Sequence, residues 1–176
     1  MTSSDKDSLD PIDGSELRQL VKSNTDTIRT LRCRTVAIGA FRQEHYIRDL
    51  PPSSVEHDDG SGLLSEETAP HPSEALLAAL GSCLIVGIHA NAVARAIPIS
   101  RLELVVSADM NFGALWGTGD LQTAPVGFEE IVVEAHIQSD APRNVLQALM
   151  DHVLLWSPVA NSLHNPVTLM TNVEMA

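Results

Sequence analysis

Hydrophobic residues follow two different spacings along this chain, and the order of those spacings predicts its elements. Leu102, Leu104, Val106 and Ala108 alternate with Glu103, Val105 and Ser107, and Ile131, Val133, Ala135 and Ile137 alternate with Glu130, Val132, Glu134 and His136. A period of two puts one row of side chains on each face of a strand, so both stretches predict half-buried strands. Between Ile28 and Arg48, β-favouring Thr35, Val36, Ile38, Phe41, Tyr46 and Ile47 flank Gly39 and Ala40, which predicts two antiparallel strands and a hairpin turn. After Pro166, Val167, Leu169, Thr171 and Val173 alternate again and predict a last strand.

Helical spacing appears in three places. Ser15 is a good N-cap for a short helix through Glu16, Leu17, Leu20 and Val21, ending near Asn24. Pro72 and Ser73 open a long helix that runs to about Ala96, with Pro tolerated in the first turn. Its apolar residues fall on nearly every side, which predicts burial on most faces, in a monomer core or between subunits. Ala78, Ala79, Gly81, Ser82, Gly87 and Ala90 would let another backbone come close. A second helix is predicted from Asp140 as N-cap, with Val145, Leu146, Leu149 and Val153 on one face, stopping at Trp156 because Ser157 precedes Pro158.

Together these elements predict an α+β fold with mostly antiparallel sheet, since too little helix separates successive strands for repeated crossovers. Residues 1–15 are polar and without periodicity and are read as a mobile leader; residues 16–176 are read as a single domain. Pro51, Pro52, the acidic run at Glu56–Asp59, Gly60 and Gly62 make residues 49–70 a connection with at most one short strand. The glycines and Pro125 in residues 111–127 predict a long exposed connection.

Composition narrows the function. With 44% hydrophobic and 19% charged residues, the chain is globular, and its formal charge of −12 argues against nucleic acid and anionic membrane surfaces as partners. Two cysteines, Cys33 and Cys83, are too few for a secreted disulfide scaffold, and the N-terminus lacks the basic and apolar segments of a signal peptide, so the expected location is a reducing cytoplasm. Ala75–Ala96 has about the length of a membrane span, but His89, Asn91 and Arg95 favour a buried soluble helix, and no membrane partner is expected.

Most familiar chemistries find no motif. The histidines at 45, 57, 71, 89, 136, 152 and 164 form no HExxH and no helical pair at ligand spacing, and neither cysteine forms a CxxC, so no metal is expected. Gly113, Gly117 and Gly119 do not make a nucleotide-binding loop, and the GSC sequence is not a serine-hydrolase elbow, so no bound cofactor is expected. Trp116 and Trp156 are candidates for lining an apolar pocket, and Trp156 is the better one because it adjoins Ser157.

Four segments carry a resemblance. PHPSEALLAALGSCLIVG at 70–87 looks like the central helix of the OsmC/Ohr family of osmotically inducible and organic hydroperoxide resistance proteins. CRTVAIGAFRQEHYIR resembles that family's opening hairpin, GFEEIVVEAHIQSDAP a later strand, and WSPVANSLHNPV the segment that normally carries a second cysteine. Order and spacing agree from about residue 31 to 174. The resemblance implies an OsmC-like fold around a long central helix, in an intertwined homodimer with active sites at the subunit interface. In its peroxidase members a thiolate attacks an organic peroxide.

Carried over residue by residue, the resemblance makes Cys83 the nucleophile, Arg42 the cation that stabilises its thiolate, with Arg34 as local rival, and Glu74 an orienting carboxylate. A free thiol with pKa about 8.5 is mostly protonated at neutral pH, so a positive neighbour is needed. Along one straight helix Glu74 lies on the face opposite Cys83 and roughly 13 Å away, so it could act only through a bend, an intervening Arg or the dimer. A break at Gly81 would also bring the helix dipole to bear on Cys83.

Two departures matter. The hydroperoxide resistance subgroup carries its glutamate one position earlier, where this chain has Ser73. Its resolving cysteine is replaced here by Ser157, which cannot form a disulfide, so a peroxidase cycle would need an external thiol reductant. Cys33 could substitute only if the fold brought it close. The expected function is thiol-dependent reduction of organic hydroperoxides in oxidative stress defence, in a one-cysteine variant. The alternatives are a homodimer that binds a small hydrophobic ligand at its interface without turnover, and thiol ester or adduct chemistry at Cys83.

Overall fold

The computed structural model of the chain describes residues 14, 15, 17, 19, 28–39, 42–56, 70–111, 117 and 126–175. The elements are β1 (Cys33–Ala37), β2 (Arg42–Ile47), β3 (Ser53–Glu56), α1 (Pro72–Ala94), β4 (Arg101–Ala108), β5 (Ile131–Gln138), α2 (Arg143–Trp156) and α3 (Pro158–His164). β1, β2 and β3 form one antiparallel sheet in that order, and β4 and β5 form another. The chain divides into two compact units, one including Ala79–Leu104 and Ala135–Ala176, the other including Gln19–Ala78 and Val105–Glu134.

In the second unit the predicted hairpin forms, with Arg34 opposite Tyr46 and Thr35 opposite His45. Ile38 N–H donates to the Arg42 carbonyl at 3.0 Å and closes the turn at Gly39. Cross-strand pairs then stiffen it: Thr35 Oγ1 lies 2.9 Å from His45 Nδ1, and the Arg34 guanidinium sits 3.9 Å from the centre of the Tyr46 ring. β3 is a short strand within residues 49–70, where at most one is expected.

Helix α1 starts within the same unit, in a capping box with a histidine in the serine position. His71 N–H donates to Glu74 Oε2 at 2.7 Å, and His71 Nδ1 accepts from Ser73 N–H at 3.1 Å, so two backbone donors of the first turn are satisfied reciprocally.

In the first unit, α1 lays a stripe one turn apart, Leu80, Leu84, Ile88 and Ala92, into a core shared with Leu149 and Val153 of α2. Gly87 permits the approach, because a Cβ there would stand 2.7 Å from Val153 Cγ1. The helix ends in a Schellman motif: Ile97 N–H donates to the Ala92 carbonyl at 2.9 Å and Ala96 N–H to the Val93 carbonyl at 3.2 Å. Such a motif requires a left-handed residue, and Ala96 fills that place at φ 55° where glycine is usual.

Several sequence expectations need revision. α2 begins three residues after Asp140 with Pro142 as an N-cap that makes no side-chain bond. Ser139, not Asp140, orders that turn, its hydroxyl accepting from Ala141 N–H at 3.0 Å and donating to the Pro98 carbonyl. Helix α3 was not expected, although Ser157 followed by Pro158 is an N-cap with Pro at the first helical position. The last strand does not form: residues 166–175 belong to no element, and Leu169 and Val173 are more than four-fifths exposed. Alternation is retained there, but a strand needs a neighbour for its backbone donors, and among the described residues of one chain it has none.

Burial of α1 is also narrower than its composition suggests. By length and composition it is apolar enough to cross a membrane, yet only 28% of its most apolar window is buried, and Leu76 and Val86 face outward. Leu17 and Gln19 are helical as expected, but Gly14 and Ser15 are helical too, so Ser15 is inside the helix and not its N-cap; residues 1–13 and the end of that helix lie outside the described residues.

Two substitutions test these contacts by urea denaturation. Ala96→Gly should stabilise the protein by about 1 kcal/mol, by relieving the left-handed alanine. Gly87→Ala should destabilise it by about 1–3 kcal/mol, and Val153→Ala in the same chain should recover part of that loss, giving a non-additive pair.

Candidate functional site

The site is built where α1 passes the junction between α2 and α3. α1 is unbroken at Gly81, so Cys83 sits about three turns from the helix start, beyond the reach of the dipole. Cys83 is half-buried, one turn before Gly87 on the same face. Ser157 is one turn beyond Val153 and 4% exposed. Cys83 Sγ and Ser157 Oγ are 3.3 Å apart. Among the candidate site residues Cys83, Arg42, Glu74 and Ser157, these two are joined by a hydrogen bond.

Ser157 is held from several directions. Its hydroxyl oxygen accepts from Ala160 N–H at 3.2 Å, as the N-cap of α3. Its carbonyl accepts from Asn161 N–H at 3.0 Å and from Asn161 Nδ2 at 2.8 Å, and Nδ2 also donates to the Leu155 carbonyl at 2.9 Å. Asn161 therefore locks the turn that presents Ser157, a part that sequence reading missed. The signal was the Ser-Pro pair with a side-chain donor four residues on, visible as a cap once a helix was allowed after Pro158.

The other expected residues have local partners. Glu74 caps α1 through His71, as described above, and lies nine residues before Cys83 on an unbroken helix, about 13 Å along its axis. Arg42 opens β2 and is exposed, its stem folded over Gly39, where an added Cβ would meet Nε at 3.3 Å. Its rival Arg34 is committed to the Tyr46 ring. Tyr46 in turn donates to Glu44 Oε2 at 2.6 Å, and that hydrogen bond, with the nearby carboxylate charge, raises the phenol above its usual 10.0. Cys33 is an exposed thiol 3.9 Å from Thr35 Oγ1.

Trp156, proposed to line a pocket, is 72% exposed and tilts against His152 with ring centres 6.3 Å apart, so within one chain it lines no enclosed space. Trp116, His57, Gly113 and Gly119 lie outside the described residues. An open groove of about 510 Å³ lies over β4 and β5, lined by Arg101, Glu103, His136, Ile137 and Gln138. It offers no nucleophile, and its Arg101–Glu103 ion pair at 3.1 Å is exposed on both sides and contributes little.

A thiol facing a buried, capped hydroxyl can act as a nucleophile that receives a hydrogen bond, and it cannot form a disulfide with that neighbour. The chain and its fold also match known proteins. The family model for OsmC-like proteins matches residues 65–172. Among solved structures, an OsmC-like protein from Mycoplasma pneumoniae superposes with a TM-score of 0.64 at 17% identity, over 78% of this chain and 89% of that one. An organic hydroperoxide resistance protein OsmC from Legionella pneumophila gives 0.58 at 16% identity, over 78% and 91%. An OsmC-like protein of unknown function from Vibrio cholerae gives 0.60 at 12% identity, over 77% and 94%. No curated protein matches. With more than half of its residues, including both Cys83 and Ser157, inside the matched family model, this chain belongs to the OsmC-like protein family.

Proposed function

We propose that the protein is a one-cysteine hydroperoxide reductase of the reducing cytoplasm, working as an intertwined homodimer in defence against organic peroxides. The observation that carries this reading is the Cys83–Ser157 pair at 3.3 Å, a half-buried thiol beside a hydrogen-bonding group at the position where a resolving cysteine would stand. The hydroperoxide resistance protein of the same fold supports the substrate class.

The chemistry runs as follows in this reading. The Cys83 thiolate attacks the terminal oxygen of the hydroperoxide; an S–O bond forms, the O–O bond breaks, and the alkoxide leaves and takes a proton as an alcohol. The sulfur is oxidised to a sulfenic acid while the peroxide is reduced by two electrons. Ser157 has no sulfur, so an external thiol attacks instead, releasing water and leaving a mixed disulfide. A second external thiol frees Cys83 and leaves as a disulfide. No bound cofactor is required. The family resemblance gives Arg42 the part of the thiolate's cation and Glu74 that of an orienting carboxylate.

Dimerisation rests on unpartnered apolar surface. Val86 on α1, Leu155 and Trp156 at the end of α2, and Leu169, Met170 and Val173 beyond α3 are all more than two-thirds exposed. Large apolar residues this exposed are what an interaction site presents, and in this reading a second copy supplies the neighbour that residues 167–173 lack. A second reading is favoured by Ser157 itself: a dimer that has given up turnover and holds a small hydrophobic ligand against this apolar surface.

One experiment separates the two. Purified protein given cumene hydroperoxide and dithiothreitol should consume peroxide catalytically, and Cys83→Ser should abolish consumption; no consumption and no oxygen adduct on Cys83 would exclude the reductase and leave ligand binding. Sedimentation should show a dimer at micromolar concentration, and Trp156→Glu with Leu169→Glu should shift it to monomer. A monomeric parent protein would remove the intertwined dimer.

A further inference from the structure

We propose that Ser157 is a positioning residue whose hydroxyl donates a hydrogen bond to Cys83 Sγ and so favours the sulfur in its anionic form. This rests on the thiol chemistry proposed for Cys83 and adds a donor that a two-cysteine site would not have in this form. A serine hydroxyl carries one proton and two lone pairs. The Ala160 N–H points at its oxygen and can only donate, so it uses a lone pair and leaves the proton unassigned. Among the described residues the other partner of that hydroxyl is Cys83 Sγ at 3.3 Å. Were the thiol the donor, the serine proton would be stranded in a site 4% exposed, where water cannot reach it readily. The proton therefore points at sulfur.

The hydroxyl cannot turn away easily. Turning it would break the cap on α3, and the backbone beneath it is fixed by the two bonds that Asn161 makes to the Ser157 carbonyl. A hydrogen bond from a hydroxyl is stronger to a charged acceptor than to a neutral one, so a fixed donor favours thiolate over thiol. The helix dipole does not reach Cys83, so this hydroxyl is a local source of that preference.

The test measures alkylation of Cys83 by iodoacetamide across pH in a Cys33→Ser chain, where Cys83 is the one remaining thiol. Ser157→Ala should slow alkylation at pH 7 by about tenfold while leaving the rate at pH 10 unchanged. Ser157→Thr, which keeps the hydroxyl, should restore the parent rate at pH 7. Ser157→Asp keeps an N-cap acceptor but cannot donate when ionised, so it should lose at least as much at pH 7 with α3 still capped. It decides the matter should the alanine variant fail to fold.

Rates at pH 7 that match the parent in both the alanine and aspartate variants would overturn the proposal. Peroxide consumption by the parent, read in parallel, keeps the two claims apart. A parent that consumes peroxide but shows no Ser157 effect sinks this inference alone. A parent whose alkylation depends on Ser157 but which consumes no peroxide sinks the reductase and leaves the donor standing.

Discussion

The close approach of α1 to α2 at Gly87 is the constraint on which the site depends. With no side chain at 87, Val153 comes close enough that a single added carbon would collide with it, and Leu84, Ile88 and Leu149 close around that contact. One turn earlier on α1 is Cys83, and one turn later past Val153 is Ser157. The two contacts advance in opposite directions along their elements, so α1 and the α2–α3 junction run antiparallel there. The thiol and the hydroxyl meet because the glycine and the valine do, and their contact is a by-product of core packing.

Much of this was legible from sequence because it rests on local rules. The period-two strands β4 and β5, the hairpin around Gly39 and the extent of α1 follow from spacing and turn residues, and each forms within a few residues of its expected place. Cys83 and Ser157 were singled out through family resemblance, since nothing in their local sequence says that residues 74 positions apart are in contact. What sequence did not yield was decided by competition among neighbours. At 139–142 a serine took the turn that Asp140 was expected to cap. At 157, attention to the missing cysteine hid an ordinary helix start. The last strand failed for another reason: its pattern is right, but pairing is a property of two segments, and alternation in one cannot reveal where the other comes from.

The polar side chains near the ends of the helices show how few parts are needed to hold a turn in place. Asn161 makes three side-chain or backbone bonds to the turn at 155–157, and His71 with Glu74 performs the same service at the start of α1. Buried polar groups cost free energy unless satisfied, and among the described residues no buried side-chain nitrogen or oxygen lacks a partner. The hairpin uses its charged residues differently: Tyr46 on the central strand takes the Arg34 guanidinium over its ring and donates to Glu44.

Ser157 serves two elements with one oxygen, and under the proposed thiol chemistry that places folding and chemistry in competition at a single atom. A hydroxyl is among the best acceptors for a helix start, while a thiol is a poor one. Exchanging that oxygen for sulfur would give the site a self-contained disulfide cycle and at the same time loosen the first turn of α3. In the other direction, a lineage that lost the sulfur would gain a firmer cap at once and come to depend on thiols from its surroundings. Under the proposed thiol chemistry, the residue at 157 thus trades autonomy of the redox cycle against rigidity of the turn that carries it.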